Sequence, residues 1–357
     1  MQVRDVFAAW GRILTGRAPL LSIEITRECP LKCPGCYAYG DSHLAGEAQL
    51  KDLTDFKGDE LVRRVIRLVD RHRPLHVSLV GGEPMMRKRE LDRILPELSR
   101  RGVFTLLVTS GVIPIPAAWG ELPRLTIAVS VDGLPEHHNV RRAPATYERI
   151  LRNVADIPHN VHLTVTRPMV QDDAYLDGYM SFWNARANVR SIWTSVYTPQ
   201  RGEQSPEMLT AEERAKLSET LVRMSAKYPK MGMKPGIAQA YVEPPPSPAE
   251  CTFARMSVNY TADLKTRVEP CIFGGDPDCS QCGCAISTAL HWMANLPVAG
   301  PLSMRHIVRS SMAIGSVAGR FRPGFGELRW SESKRVQSIR ETPLVQIANA
   351  GDDRRAS

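Results

Sequence analysis

No apolar run in this chain approaches the roughly 18 residues needed to cross a bilayer. The N-terminus has neither the apolar core nor the cleavage site of a secretory signal. Both absences predict a cytoplasmic protein, whose thiols stay reduced. No internal repeat is evident. Cysteine is missing from the whole stretch between Cys36 and Cys251, so the 8 cysteines fall into two groups, three before the gap and five after it. In a reducing compartment that grouping points to metal ligation or redox chemistry more than to disulfides. Acidic residues are also in short supply: 38 against 46 basic ones, a net charge of +8. A basic surface favours anionic partners such as phosphates, acidic peptides, nucleic acid or a membrane surface, without choosing among them. It marks no clear nucleic-acid partner.

Residues 1–18 read as a short helix with Val3, Val6, Phe7, Trp10, Ile13 and Leu14 on one face. From Leu21 the period shortens to two. Strand-like runs stand at 21–26, 75–80, 103–109, 125–131, 161–166 and 191–197, with helical patterns at 59–72, 88–101, 146–155 and 174–187. Strands alternating with helices imply a parallel sheet with right-handed crossovers. Six strands are too few for a closed eight-stranded barrel, so the expected α/β fold is a partial (β/α)6 parallel barrel with a small C-terminal Cys-rich domain. The expected division is an amphipathic helix over 1–20, a core over 21–205 and a helical, Pro-rich linker over 206–250. A Cys-rich region over 251–290 and a basic tail over 291–357 follow. In 251–271 the pattern reads as a short hairpin between two cysteines.

The first cysteine group is Cys29, Cys33 and Cys36, in "CPLKCPGC" directly after the first strand. Three thiolates on one loop suit three irons of a [4Fe–4S] cube and leave the fourth iron open to a ligand. A structural zinc site usually takes four ligands in paired spacing, and here the nearest alternative fourth ligand is His43. A second short run, "GGEP" (Gly81, Gly82, Glu83 and Pro84), follows the second strand, where its glycines allow backbone to approach a ligand closely.

The two motifs together, in this order and at these strand ends, resemble the radical S-adenosylmethionine (SAM) superfamily over roughly residues 20–200. The resemblance implies an enzyme in which a [4Fe–4S] cluster cleaves SAM reductively. A 5′-deoxyadenosyl radical then abstracts hydrogen from a substrate, in a reaction of oxidoreductase or transferase type. It implies a SAM amino-group site at GGEP, with Glu83 accepting from the ammonium, and an electron donor such as flavodoxin or ferredoxin. Polar SAM contacts are implied at the later strand ends: Ser130 in "SVDG", with Asp132 beside it as a turn residue, and Arg167 in "TVTR" near the SAM carboxylate. The family commonly has a bulky residue just before the third cysteine. This chain has Gly35 there, leaving Tyr37 as the substitute near adenine. His76, His137, His138 and His162 read as structural histidines.

The second group, Cys251, Cys271, Cys279, Cys282 and Cys284, lies within 34 residues. It resembles the auxiliary-cluster regions called SPASM or twitch domains, which extend many radical SAM enzymes. Five cysteines suit one auxiliary [4Fe–4S] cluster with one thiol to spare, and a four-thiolate zinc knot is the rival reading. The substrate class stays open among peptide, small molecule and lipid. Only about 20 residues precede the first strand, which weighs against a separate peptide-recognition domain. The amphipathic first helix and basic tail add peripheral membrane contact as a further expectation. Residues 251–357 are expected to cover the open edge of the barrel. The alternative from another class is a non-catalytic iron–sulfur or zinc protein acting as electron carrier or scaffold, which has no use for GGEP.

Overall fold

The structure, a computed structural model, describes residues 3–36, 43–44 and 52–321. Helix α1 (Val3–Leu14) is followed by strand β1 (Leu20–Glu24), helix α2 (Gly58–His72), β2 (His76–Val80), α3 (Lys88–Arg100), β3 (Phe104–Thr109) and β4 (Leu125–Ser130). Two short helices, α4 (Pro135–Arg141) and α5 (Tyr147–Asn153), lead to β5 (His159–Val165), α6 (Asp173–Asn184) and β6 (Val189–Val196). Then come α7 (Ala211–Lys227), α8 (Pro235–Gln239), α9 (Thr252–Met256), β7 (Ser257–Tyr260), α10 (Ala285–Asn295) and, after a small hairpin, α11 (Met304–Arg320).

The six strands expected from period-two patterning are present and pair in parallel in the order β6-β5-β4-β3-β2-β1. Alternation decides which face each residue serves. Leu21, Ile23 and Ile25, Val77 and Leu79, Ile127 and Val129, and Val161 and Leu163 all join one apolar core with the helices. Ser22 and Glu24, Ser78, Thr126 and Ser130, and Asn160, His162 and Thr164 alternate with them and therefore lie on the inner face. A sheet buried in apolar surroundings on both faces would carry near-continuous apolar runs. This one lines its inner face with hydroxyls, amides and a carboxylate.

One expectation about the sheet changes. The stretch 251–271 is only partly a hairpin. Its first arm, β7, pairs in parallel with β1 from Leu20↔Ser257 to Ile23↔Tyr260 and becomes a seventh strand of the main sheet. Its second arm folds back on β7, with Tyr260 bridged to Arg267 and the Val268 N–H bonded to the Asn259 carbonyl at 3.0 Å. The chain then crosses to the opposite edge strand. The Val196 N–H donates to Gly283 at 2.8 Å, Asp278 N–H to Pro199 at 2.9 Å, and Gln200 bridges Pro277. The Cys-rich loop thus spans the two edges of the open sheet and satisfies edge groups that would otherwise lie unpaired.

The basic C-terminal stretch, as far as it is described, contains α11, which packs alongside α1. Trp10 Nε1 donates to Ser311 Oγ at 2.9 Å, and Gly315 lies so close to Ile13 that a Cβ there would stand 1.9 Å from the Ile13 carbonyl oxygen. The apolar face of α1 is therefore split: Ile13 is buried while Phe7 is 70% exposed.

Closure of the edges makes its own prediction. A Cβ at Gly283 would sit 2.0 Å from the Val196 carbonyl oxygen, a backbone atom that cannot swing away. Gly283→Val should separate the Cys-rich loop from β6 and cost at least about 1–3 kcal/mol. Urea denaturation with an unchanged midpoint would contradict this placement.

Candidate functional site

In a parallel sheet all C-terminal strand ends lie on one edge, where ligands bind in open α/β folds. Here that edge is built by backbone crossing backbone. Residues 25–28 run beside 80–83: Ile25 N–H donates to Val80 at 2.9 Å, Gly82 N–H to Thr26 at 2.8 Å and Glu83 N–H to Glu28 at 2.8 Å. Gly81 holds φ at 130°, and a Cβ there would meet the Thr26 oxygen at 2.6 Å. No other residue type fits without moving one of the two strands.

Glu83 is 1% exposed, and its carboxylate is already engaged. It accepts from Met85 N–H at 2.9 Å, Thr109 Oγ1 at 2.6 Å, Ser110 N–H at 2.7 Å and the Ser110 hydroxyl. The side chain thus straps the GGEP turn to the end of β3. What the turn presents to a ligand is backbone, in place of the free carboxylate the motif suggested.

The three-cysteine loop leaves β1 beside this turn. Its entrance is tied by Arg87, which donates to Glu28 at 2.8 Å and Asp55 at 3.0 Å, while Asp55 accepts from Thr26 Oγ1 at 3.0 Å and Arg27 N–H at 2.9 Å. Hydrogen bonds from Arg87 and Lys57 pull the Glu28 carboxyl down to about 2. Burial pushes the Cys29 thiol up to about 11, so a thiolate there needs a bound cation to form at neutral pH.

The far side of the loop is clamped by residues that sequence reading passed over. Arg141 Nη1 donates to the Pro34 carbonyl at 3.1 Å, and Lys32 N–H donates to Ala143 at 3.3 Å. Asp132 accepts from Arg141 Nε at 3.1 Å, Arg142 Nε at 2.9 Å and Thr164 N–H at 3.0 Å, and Arg141 also pairs with Glu207. The expected turn residue Asp132 is therefore the buried anchor of two arginines. Arg142 is electrostatically coupled to Cys33 and Cys36. Arg167 Nε donates to Glu213 at 2.9 Å, at the start of α7. Ser130 is buried at the last position of β4, as the strand-end reading placed it. Tyr37 lies outside the described residues.

Gly35 has φ +60°, and a Cβ on it would meet the Tyr197 hydroxyl at 2.3 Å. The ring of Tyr197, from the end of β6, packs against the position where the family commonly carries a bulky side chain. His138 accepts from Asp132 N–H at 3.1 Å through Nδ1, and burial pushes it down to about 4. His162 Nε2 lies 2.9 Å from Ser195 Oγ. His43 is held between Glu24, at 2.7 Å, and the Phe273 carbonyl, at 2.9 Å, rather than turned to the cysteines.

The second group gathers as its spacing implies. Cys251, Cys271, Cys279, Cys282 and Cys284 all line one pocket, with Ser287 and Thr198 beside them. None of the 8 cysteines forms a disulfide. Cys251 Sγ accepts from Ala254 N–H at 3.4 Å and lies 3.2 Å from Ser287 Oγ. Among the described residues, no three His, Cys, Asp or Glu side chains converge as a single metal ion requires.

Asp132 generates a prediction. Burial opposes its charge, but Arg142, Arg141 and the Thr164 N–H outweigh it and hold its carboxyl well below the usual range. Its stabilising contribution is full above the ordinary carboxylate pKa and is lost as pH falls through the depressed one. Asp132→Asn leaves the largely buried Arg142 without its anion and Arg141 with Glu207 alone, and should cost about 3–5 kcal/mol at neutral pH. Denaturation midpoints equal to those of the parent would refute the anchor role.

Comparison with known proteins agrees with this geometry. Residues 23–173 match the family described as the Radical SAM superfamily. Among curated proteins, a 7-carboxy-7-deazaguanine synthase from Hyperthermus butylicus is 29% identical over 108 residues, 30% of this chain and 41% of the relative. A PqqA peptide cyclase from Xanthomonas oryzae pv. oryzae is 33% identical over 101 residues, 28% of this chain and 25% of the relative. The matched stretches thus span less than half of either relative. Among solved structures, Streptococcus suis SuiB bound to the precursor peptide SuiA superposes with a TM-score of 0.55 at 14% identity. That match covers 76% of this chain and 63% of SuiB. SuiB bound to S-adenosylmethionine gives 0.51 at 12% identity, over 72% and 60%. At such identities the likeness is one of fold.

Proposed function

We propose that this chain, whose residues 23–173 match the Radical SAM superfamily, is a radical SAM enzyme in which Cys29, Cys33 and Cys36 hold the cluster that reductively cleaves SAM for hydrogen abstraction from a substrate. The observation that carries the reading is the meeting of the three-cysteine loop with the Gly81–Gly82 turn on one sheet edge, locked by the 25–28 and 80–83 backbone bonds. When bound, a [4Fe–4S] cluster with an open iron supplies the electron that breaks the SAM sulfonium bond. The chain's own residues do the rest. Gly81 and Gly82 leave backbone bare for the amino group, and Glu83 keeps that turn in place through β3. Ser130 stands at the next strand end as a polar contact. Tyr197 packs on the cysteine loop beside Gly35. Reduction calls for a flavodoxin- or ferredoxin-like donor.

The five-cysteine cavity is read as the site of a second iron–sulfur cluster of SPASM or twitch type. The gathering of five thiols around one pocket supports that reading. We read the substrate as lying on the inner face of the sheet, between the first cysteine loop and the Cys-rich bridge, where Glu24, Asn160 and His162 alternate with core residues. The peptide in the SuiB structure and in the name of the cyclase supports a peptide as the substrate class.

Anaerobic reconstitution tests the assignment. Two clusters predict about eight irons per chain. Cys33→Ala should abolish 5′-deoxyadenosine formation from SAM and dithionite and leave about four irons, those of the second site. Undiminished 5′-deoxyadenosine from that variant would overturn the reading. Four irons with one zinc in the parent would keep the SAM chemistry and remove the second cluster.

A further inference from the structure

Arg214, in the first turn of α7, is 5% exposed. Among the described residues its guanidinium has no carboxylate within ion-pair distance. Nη1 donates to the Tyr241 carbonyl at 3.2 Å, and Nη2 to the carbonyls of Tyr197 at 3.1 Å and Gln281 at 2.6 Å. Its Nε is buried with no hydrogen-bond partner. The contrast with the first cysteine loop is direct: Arg141 and Arg142 are also largely buried, but Asp132 and Glu207 balance them. A buried cation without an anion is strongly destabilising. Carbonyl dipoles offset part of that cost and leave the net charge in place.

The place of this cation limits what can balance it. Gln281, whose carbonyl it holds, precedes Cys282, a thiol that lines the five-cysteine cavity. The groups that couple to Arg214 through their charge are the Cys282 thiol and Asp278. Asp278 is itself engaged, accepting from Ser280 N–H at 3.1 Å, from the Ser280 hydroxyl at 2.6 Å and from Gln281 Nε2 at 3.1 Å. Four thiolates around an oxidised [4Fe–4S] core leave a net dianion, and reduction adds one more negative charge. A neighbouring buried cation favours both the binding of that group and its reduction.

We propose that Arg214 is the counter-cation of the second cysteine site, offsetting the negative charge of a thiolate-bound iron–sulfur cluster and holding its reduction potential up. This rests on the reading of the cavity as a cluster site. Arg214 is a positioning residue here, acting on the group through charge. The same guanidinium holds the backbone of Tyr197, whose ring packs on Gly35, so it also joins the second site to the loop of the first.

The test is a redox titration followed by electron paramagnetic resonance, on full-length chain in which Cys29, Cys33 and Cys36 are all alanine, so that only the second site reports. Arg214→Met should move the midpoint potential to more negative values and lower iron retention. Arg214→Lys, which keeps the charge, should stay near the parent. If the Met variant does not fold, Arg214→Gln replaces it, since it keeps a donor for the carbonyls and removes the charge. A potential unmoved by loss of the charge, or moved equally by Lys and Met, overturns the role of Arg214 while leaving the cluster in place. Zinc instead of iron at this site in the parent overturns the cluster reading, and the proposal with it.

Discussion

The parallel pairing of β7 with β1 governs where every later residue can go. Four residues, Ser257 to Tyr260, continue the sheet past its first strand. Cys251 lies just before them, at the N-terminus of α9, and Cys271 shortly after. With β7 seated, the chain has to travel from one edge of the sheet to the other to reach Val196, and Cys279, Cys282 and Cys284 lie on that crossing. The cavity therefore forms where the bridge spans the gap of an incomplete barrel. Backbone bonds fix it on both sides, to β7 through Asn259 and to β6 through Val196 and Pro199.

The two cysteine sites solve one electrostatic problem in different ways. Both place guanidinium groups beside thiols that burial keeps in the neutral form. The first site recruits Arg141 and Arg142 and fully neutralises them through Asp132 and Glu207, so the clamp is stable whatever the loop carries. At the second, among the described residues, Arg214 is bound only to carbonyl oxygens. An arrangement balanced within the protein gives rigidity, whereas one balanced only by the bound group couples that group to folding. The shared wall between them is Tyr197, in contact with Gly35 through its ring and with Arg214 through its carbonyl.

Much of this was legible in the residues themselves because the signals are local. Period-two runs such as "LSIEIT" and "LTIAVSV" marked strands, and the 3.6-residue pattern of 59–72 marked α2, since one face of each must be apolar to join the core. The spacing of Cys29, Cys33 and Cys36 on one short loop, and the bare backbone of Gly81 and Gly82, speak of ligation before any contact is known. Arg167 was singled out for its place at a strand end, yet Glu213 on a distant helix claims it. Glu83 was singled out for its charge, yet Thr109 and Ser110 occupy its oxygens. A side chain's neighbours across the fold decide whether its polar atoms remain available.

Local patterning accounts for the six strands 20–196 and the helices between them, the cysteine loop with its glycine turn, and the grouping of five further cysteines, because each depends on residues a few positions apart. Only the tertiary structure decided that 257–260 is a sheet strand rather than half of a free hairpin, for a strand of four residues acquires its identity from the edge it meets. Only it brought Arg141 and Arg142 to Asp132, Tyr197 to Gly35, and Arg214 to the Gln281 carbonyl. Burial and charge pairing are properties of neighbours distant in the chain, and no local pattern records them.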